Sequence, residues 1–439
     1  MTRDGAIERS LDALLSGGPG GARVREWSIH AAESRRLSLG TKDRHTGGPH
    51  APLGVAESLV ARWLLVWDDG QVGASDLDRA ALEGDLGEAL ERARAAARDD
   101  PDAAQVAGPA TVPEVVLHDP LSARVAGGDT ALVAARLESI RERFARNRFG
   151  TWSGAFDASE SSARLVTSAG FDASARRTLH GWSATFDGEI GDGHVARAPE
   201  GDAEFAARLD RLAEVACLLR EPSPPRPAAL GRTILHPVVV RSLVLDTLLQ
   251  NLEGAAVAHG SGRFGREAFG SGDPVVREDL TLRVEPLEPL RAGSYRFTRE
   301  GVPAVRTTFI DRGRLATPVL GLKYARRLGL RPTGVPLAHD VLRLEGPAPV
   351  PLAEAIERAH GGTLVLRVLG MHTQDPTSGD FSLSSPQALA ISGGRARGRV
   401  RVTIAGNVFE ALRDETLELV AFPGEETPGL AIRCGVRDR

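Results

Sequence analysis

The chain has 439 residues, 42% of them apolar, and a formal net charge of −4. That length calls for two or three domains, each apolar enough to bury a core. The charge argues against a phosphate-tracking nucleic-acid binder. The two isolated cysteines, Cys217 and Cys434, are too few for a disulfide framework and too far apart for a structural zinc site.

In chain order, residues 5–15 read as a short amphipathic helix. The start, MTRDGAIERSLDALL, lacks the long apolar core of a signal peptide. Alternating runs follow at Ala22 to His30 and Arg35 to Leu39. ARWLLVWDDGQVGAS then gives a hairpin signal, with Asp69-Gly70 suited to a type I′ turn because both central residues need positive φ. Leu77 to Arg98 turns helical. The Pro/Ala/Asp-rich stretch 99–114 reads as a linker. Beyond it come an amphipathic helix at Thr130 to Arg146, alternating segments at Ala163 to Ala169 and Ala175 to Phe186 with a DG turn at 187–188, and a helix at Phe205 to Arg220. EPSPPRPAALG breaks the pattern again. Residues 232–439 are mostly strand-like, with helices at His236 to Gly254 and Leu352 to His360. The predicted organisation is α+β. Antiparallel sheets with packed helices fill an N-terminal domain, 1–100, and a middle domain, 115–222. A β-rich C-terminal domain, 231–439, carries one long helix.

No apolar run of about 18 residues is present, so no membrane span is expected. A reducing cytoplasm is the expected compartment. The wealth of Ala, Arg and Gly with two Tyr suggests a bacterial genome rich in G and C.

Motifs of chemistry are sparse. GSGRFG (Gly260 to Gly265) matches a dinucleotide-binding pattern by letter, but a helix precedes it where a strand is required. His45 and His50 lie in a Gly/Pro loop, HTGGPH, which reads as surface. Cys434 sits in LAIRCG and reads as a small buried hydrophobe. Arg395, Arg397, Arg399 and Arg401 alternate in GRARGRVRV. On a regular strand they share one face, either clamping carboxylates or facing solvent. His236 and His259 stand at opposite ends of the long helix, roughly 35 Å apart if it is unbroken, too far to share an ion.

The C-terminal 200 residues resemble the TldD/PmbA (TldE) family of metallopeptidase-related proteins. The segments that carry the resemblance are LLQNLEG, SYRFTREGVPAVRTTFIDRGRL, KYARRLGLRPTG, LRVLGMHTQDPTSGDFSLSS and VTIAGNVFEAL. Where the family typically shows a phenylalanine, an acidic pair and a glycine, this chain has Phe297, Thr298, Arg299, Glu300 and Gly301. The hairpin at 62–75 and the helix after it also resemble the family's N-terminal region.

The family's catalytic branch carries His-Glu-x-x-x-His shortly before Leu-Glu-Gly, with a Cys as third zinc ligand. Anchored on Leu252-Glu253-Gly254, the resemblance puts Leu245, Asp246 and Gln250 at the His, Glu and His positions. Cys434 lies too late to be the family's Cys. The resemblance therefore implies the PmbA/TldE-like branch, with no catalytic residue and no metal in this chain. Zinc would sit in a partner subunit.

The implied function is a non-catalytic subunit of a cytoplasmic zinc metallopeptidase that handles unfolded or modified peptides. A TldD-like zinc-binding subunit, or a second copy of this chain, would complete the assembly. The peptide would be held extended, with strand addition as one mode. The implied groove candidates are His372, Asp380, Ser382, Glu300 and Asn407. The alternative is a stand-alone peptide-binding or assembly protein without peptidase activity. A third reading makes His372, Asp380 or His236 acid–base groups of an unrecognised enzyme.

Overall fold

The computed structural model describes residues 1–16, 23–42, 45–46, 53–224 and 232–438. The chain is α+β. Its first large sheet is antiparallel, in the order Arg98–Asp99, Gln71–Asp78, Gly54–Trp67, Val24–Lys42, Trp152–Thr167, Asp172–Phe186, Ile190–Ala196. Val24–Lys42 lies at its middle. It pairs with Gly54–Trp67 on one side and, from Ser28 to Lys42, with Trp152–Thr167 on the other. Segments 1–100 and 115–222 thus build one sheet, and 99–114 separates lengths of chain within it. The two alternating runs expected at Ala22 to His30 and Arg35 to Leu39 are a single long strand.

Period-two alternation decides which face is buried. Ile29, Ala31, Leu37 and Leu39 point to one face and are buried there by helices. Arg3–Leu15 and Leu86–Ala95 supply Ile7, Leu14 and Leu90 at one end. Ala131–Arg146 and Asp202–Leu218 supply Ile140, Phe205 and Leu209 at the other. Each fully buried Leu or Phe of this kind contributes about 2 kcal/mol. The opposite face carries His30, Ala32, Ser34 and Arg36.

Turn chemistry divides between the two DG sites. Asp187 and Gly188 both have positive φ, 55° and 66°, as type I′ requires. At the first hairpin only Gly70 does, at 83°. The turn there runs from Trp67 to Gly70, closed by a 2.9 Å bond from the Gly70 N–H to the Trp67 carbonyl. This departs from the expected type I′. Arg94 pairs with Asp69, which holds the Asp69 side chain against the following helix.

The C-terminal half holds an eight-stranded sheet in the order Val350–Pro351, Glu418–Ala421, Gly429–Ile432, Thr233–Leu235, Thr363–Leu369, Asp380–Ser392, Arg395–Asn407, Gly435–Asp438. A smaller four-stranded sheet lies beside it. One face of the large sheet packs Leu364, Leu366, Leu389 and Ile391 against the helix Asp202–Leu218, so that helix is shared between the two halves. The other face packs Val365, Leu383, Ala388 and Val402 against the helix that follows Thr233–Leu235. Among the described residues no helix is long and apolar enough to cross a membrane.

The four arginines of GRARGRVRV do not share a face. Ala390 opposes Arg397 and Leu389 opposes Arg399, so Gly398 is an extra residue in the strand. Gly398 has φ 68°, a bulge conformation that glycine reaches without strain. The bulge resets the alternation, and Arg399 turns to pair with Glu189.

Candidate functional site

The long helix begins where Pro237 takes the first helical position and His236 caps it, its Nδ1 accepting from the Val238 N–H at 3.3 Å. Val240–Leu245 forms a π segment, in which the Asp246 N–H reaches back five residues to the Arg241 carbonyl. Such an inserted residue is rare and recurs at functional sites. Asp246–Leu252 returns to α geometry. The helix expected to run from His236 to Gly254 then breaks at Glu253, whose ψ is 135°. Leu252 and Gly254 bond instead to Val319, at 2.8 and 2.9 Å. Gly254 is needed there because a Cβ would lie 2.8 Å from Leu320 and Tyr324.

The three helix positions singled out in the sequence meet different fates. Leu245 is 0% exposed and belongs to the C-terminal core. Asp246 Oδ1 lies 2.8 Å from His339 Nε2. Gln250 faces a cleft. This set does not fit zinc: Leu245 has no donor atom, Asp246 is engaged by His339, and Gln250 offers only a neutral carboxamide. Among the described residues no three His, Cys, Asp or Glu side chains gather as metal ligands.

The cleft facing Gln250 is about 170 Å³ and is closed by the loop that follows Thr363–Leu369. His372, Gln374, Asp375 and Asp380 line its loop side, and Ser242, Thr247 and Gln250 its helix side. The loop is held at three points. Asn251, 2% exposed, donates to the Thr247 and Pro376 carbonyls at 2.9 and 2.7 Å and accepts from the Arg263 N–H at 2.7 Å. Arg263 donates to the Ser378 carbonyl at 3.2 Å while stacked over Phe409. Asn407 donates to the Ser378 carbonyl and to Asp380 Oδ1, and its own Oδ1 caps the helix Val408–Arg413. Gly379 has φ 77° and lies so close to Phe409 that a Cβ would meet its ring at 2.5 Å.

These contacts fix the electrostatics. Hydrogen bonds from Asn407 and Ser378 hold the Asp380 carboxyl below its ordinary range. Asp380 and Asn407 are direct cross-strand partners, and Ser382, two residues on, donates its N–H to Gln374 Oε1 at 3.0 Å. His372 is exposed at the cleft mouth. The arrangement offers imidazole, carboxamide, hydroxyl and carboxylate groups around a small polar space, which suits hydrogen bonding to a peptide backbone. It forms no nucleophile–base pair of the kind acyl transfer needs.

Glu300 lies elsewhere, in a second cavity of about 570 Å³ between the first sheet and the C-terminal half. Its carboxylate accepts from the Leu322 N–H at 2.7 Å. His236 lines a third, largely apolar cavity of about 510 Å³. Burial pushes its pKa down to about 4, against the pull of Glu425 and Asp192. Cys434 is half-buried beside Thr233, and burial raises its thiol pKa. His50 lies outside the described residues, and GSGRFG is the loop that presents Arg263, after a helix ending in left-handed Gly260.

Sequence reasoning missed Asn251, Arg263 and His339. Asn251 carried a signal, as a polar residue between Leu248 and Leu252 on a buried face. Arg263 was the one cation within GSGRFG. His339 carried none, because it meets Asp246 across 93 residues of chain.

Comparison with known proteins extends this picture. Residues 231–420 match the PmbA/TldA metallopeptidase C-terminal domain. A metalloprotease of Synechocystis sp. is 30% identical over 167 residues, 34% of this chain. The match spans about a third of that relative's length, 35%. The crystal structure of TldE from Thermococcus kodakarensis superposes with a TM-score of 0.78 at 17% identity, covering 98% of this chain and 99% of that one. A Bacteroides thetaiotaomicron protein described as a modulator of DNA gyrase gives a TM-score of 0.75 at 18% identity, covering 98% and 97%. At these identities the structural likenesses establish the fold.

Proposed function

Because this chain belongs to the TldD/PmbA family of metallopeptidase-related proteins, we propose that it serves as a peptide-handling subunit without hydrolytic machinery of its own. The observation that carries this reading is the helix centre. Leu245 is sealed in the core and Asp246 is bound to His339, so the helix supplies neither a metal ligand nor a free carboxylate base at the two positions that precede Gln250. Hydrolysis is then supplied by a zinc-binding, TldD-like partner subunit in the cytoplasm.

The polar cleft under the 370–380 loop is the part of this chain that meets the extended peptide. His372, Asp380 and Gln250 line it. Asn407 acts as a positioning residue by fixing the loop. Ser382 continues the same strand outward from the cleft.

The test is zinc content and peptide cleavage, measured on the chain alone and mixed with a zinc-binding homologue from the same genome. The expected result is no bound zinc and no cleavage alone, with cleavage by the mixture. One tightly held zinc per isolated chain, with cleavage abolished by a chelator, would overturn the reading. Peptide binding without cleavage in either case would instead assign a stand-alone binding protein.

A further inference from the structure

The cavity that holds Glu300 adjoins another of about 540 Å³, and His30, Arg177 and Arg299 line both. Their placement is built by the fold. His30 lies on the face of the first sheet that the N-terminal helices leave uncovered. The register carries that face across the strands: Ser34 opposes Ser161, and Ser161 opposes Arg177. Arg177 Nε donates to Ser161 Oγ at 3.1 Å.

Arg299 arrives from the C-terminal half. Phe297 packs edge-on against Phe171, ring centres 5.7 Å apart, beside Leu165. The chain then reverses in a tight turn, with the Gly301 N–H bonded to the Thr298 carbonyl at 3.0 Å. Gly301 has φ 85°, and a Cβ there would strike Ala107 at 2.6 Å. The turn therefore sits directly on the sheet, with Arg299 and Glu300 at its tip.

Nearby charges are mostly spoken for. Arg62 pairs with Asp76, and Arg296 with Glu114. Asp78 caps the helix Arg79–Glu83, and Glu300 accepts from the Leu322 N–H. Glu253 lines the first cavity but not the second. Arg177 and Arg299 have no ion-pair partner among the described residues. Burial lowers the Arg177 pKa and Arg299 lowers it further. Burial, then Arg299 and Arg177, hold His30 neutral, with a pKa of about 4. Asp76 and Asp78 line the second cavity and Arg299 lowers the Asp76 pKa, but neither carboxylate is in ion-pair contact with Arg177 or Arg299. Like charges gathered in a cleft without a direct ion-pair partner destabilise the empty protein and mark functional sites. The Tyr295 hydroxyl, which accepts from the Val335 N–H at 2.7 Å, keeps its own proton available to the same cavity.

We propose that Arg177 and Arg299, beside His30, form a binding site for the anionic oxygens of a carboxylate or phosphate ligand that enters along the uncovered sheet face. Two guanidiniums from different halves of the molecule suit such a group, because each can present paired N–H donors to it. The proposal does not rest on the peptide-handling reading, and its test contains no partner subunit and no zinc.

Isothermal titration of the full chain with three probes tests it: inorganic phosphate, N-acetyl-trialanine, and the C-terminal amide of that peptide. Binding of phosphate or of the free acid is expected, weakened about tenfold or more in both Arg177→Gln and Arg299→Gln. Binding of phosphate alone assigns a phosphate ligand, and binding of the free acid alone assigns a carboxylate. Arg299 is exposed at a turn tip, and its ligand-free melting temperature is expected to stay level or rise in Arg299→Gln as repulsion is relieved. Absence of binding by either anion, equal binding of the amide, or undiminished binding in Arg299→Gln would each overturn the site.

Discussion

Asp246 Oδ1 and His339 Nε2 meet at 2.8 Å, joining the end of the π segment to a short turn ahead of the strand Leu342–Glu345. Both side chains are partly open to solvent, 40% and 35% exposed. A pair so exposed contributes about 1 kcal/mol or less. Asp246→Ala is therefore expected to shift the urea midpoint only slightly and to leave the fold intact. A loss of several kcal/mol would show that Asp246 bears more than this one contact.

A different scale applies at Arg208. It lies within reach of Asp192 at 3.2 Å, Glu425 at 3.0 Å and Glu200 at 3.6 Å, itself only 10% exposed. Removing one member of such a buried network leaves charges unpaired and costs about 3–5 kcal/mol. Arg208→Leu is expected to lower stability by that amount in urea unfolding. Because Glu425 follows the strand Glu418–Ala421, the lesion also loosens the seam between the two halves.

Three buried histidines are expected to contribute to the acid limb of the stability curve. Burial holds His30, His180 and His236 down to a pKa of about 4, from an ordinary 6.5. Each binds a proton more readily unfolded than folded, so its contribution is complete above pH 6.5 and is lost as pH falls toward 4. Stability measured by urea at stepped pH is expected to decline through this window. His180 is 4% exposed, and His180→Leu should flatten part of that slope. An unchanged slope would place the proton uptake at other groups.

The loop over the cleft depends on Asn407 more than on Asp380. Asn407→Ala removes a helix cap and two bonds to the loop, an expected loss of about 1–2 kcal/mol. Asp380→Ala, at an exposed position, should cost clearly less. Gly379→Ala combines a left-handed φ with a clash on Phe409, an expected cost of about 2–4 kcal/mol. Amide hydrogen exchange across residues 374–382 gives the local readout, with faster exchange expected in Asn407→Ala and Gly379→Ala.

The longer helices of the N-terminal half were legible in the sequence because amphipathic spacing is a local property, whereas Pro120–Ala126 and Leu322–Leu328 are too short to show it. Ala131–Arg146 and Asp202–Leu218 fall where the apolar stripes of Leu137 and Ile140, and of Phe205, Leu209 and Leu212, place them. Strand partnership is not local, and a Pro/Ala/Asp-rich stretch at 99–114 looks like a boundary whether or not a sheet continues past it. The Gly398 bulge hid in a run of alternating arginines, since glycine is compatible with both regular and bulged strand. At the cleft, residue types were readable but their convergence was not. The π segment places Gln250 opposite His372, and nothing in Val240–Leu245 distinguishes a π turn from an α turn. Glu300 resembled a groove residue by motif, yet its turn is carried by Phe297 to another cavity.

The central strand Val24–Lys42 has an implication for biosynthesis. During translation it leaves the ribosome long before its second partner, Trp152–Thr167, has been made, and until then one of its edges has no neighbour. Nascent chains with exposed edges of this kind are prone to mispairing and slow to mature. A fragment ending near residue 100 would carry that open edge permanently, so expression trials that cut the gene at its most linker-like stretch are the ones most prone to yield insoluble material.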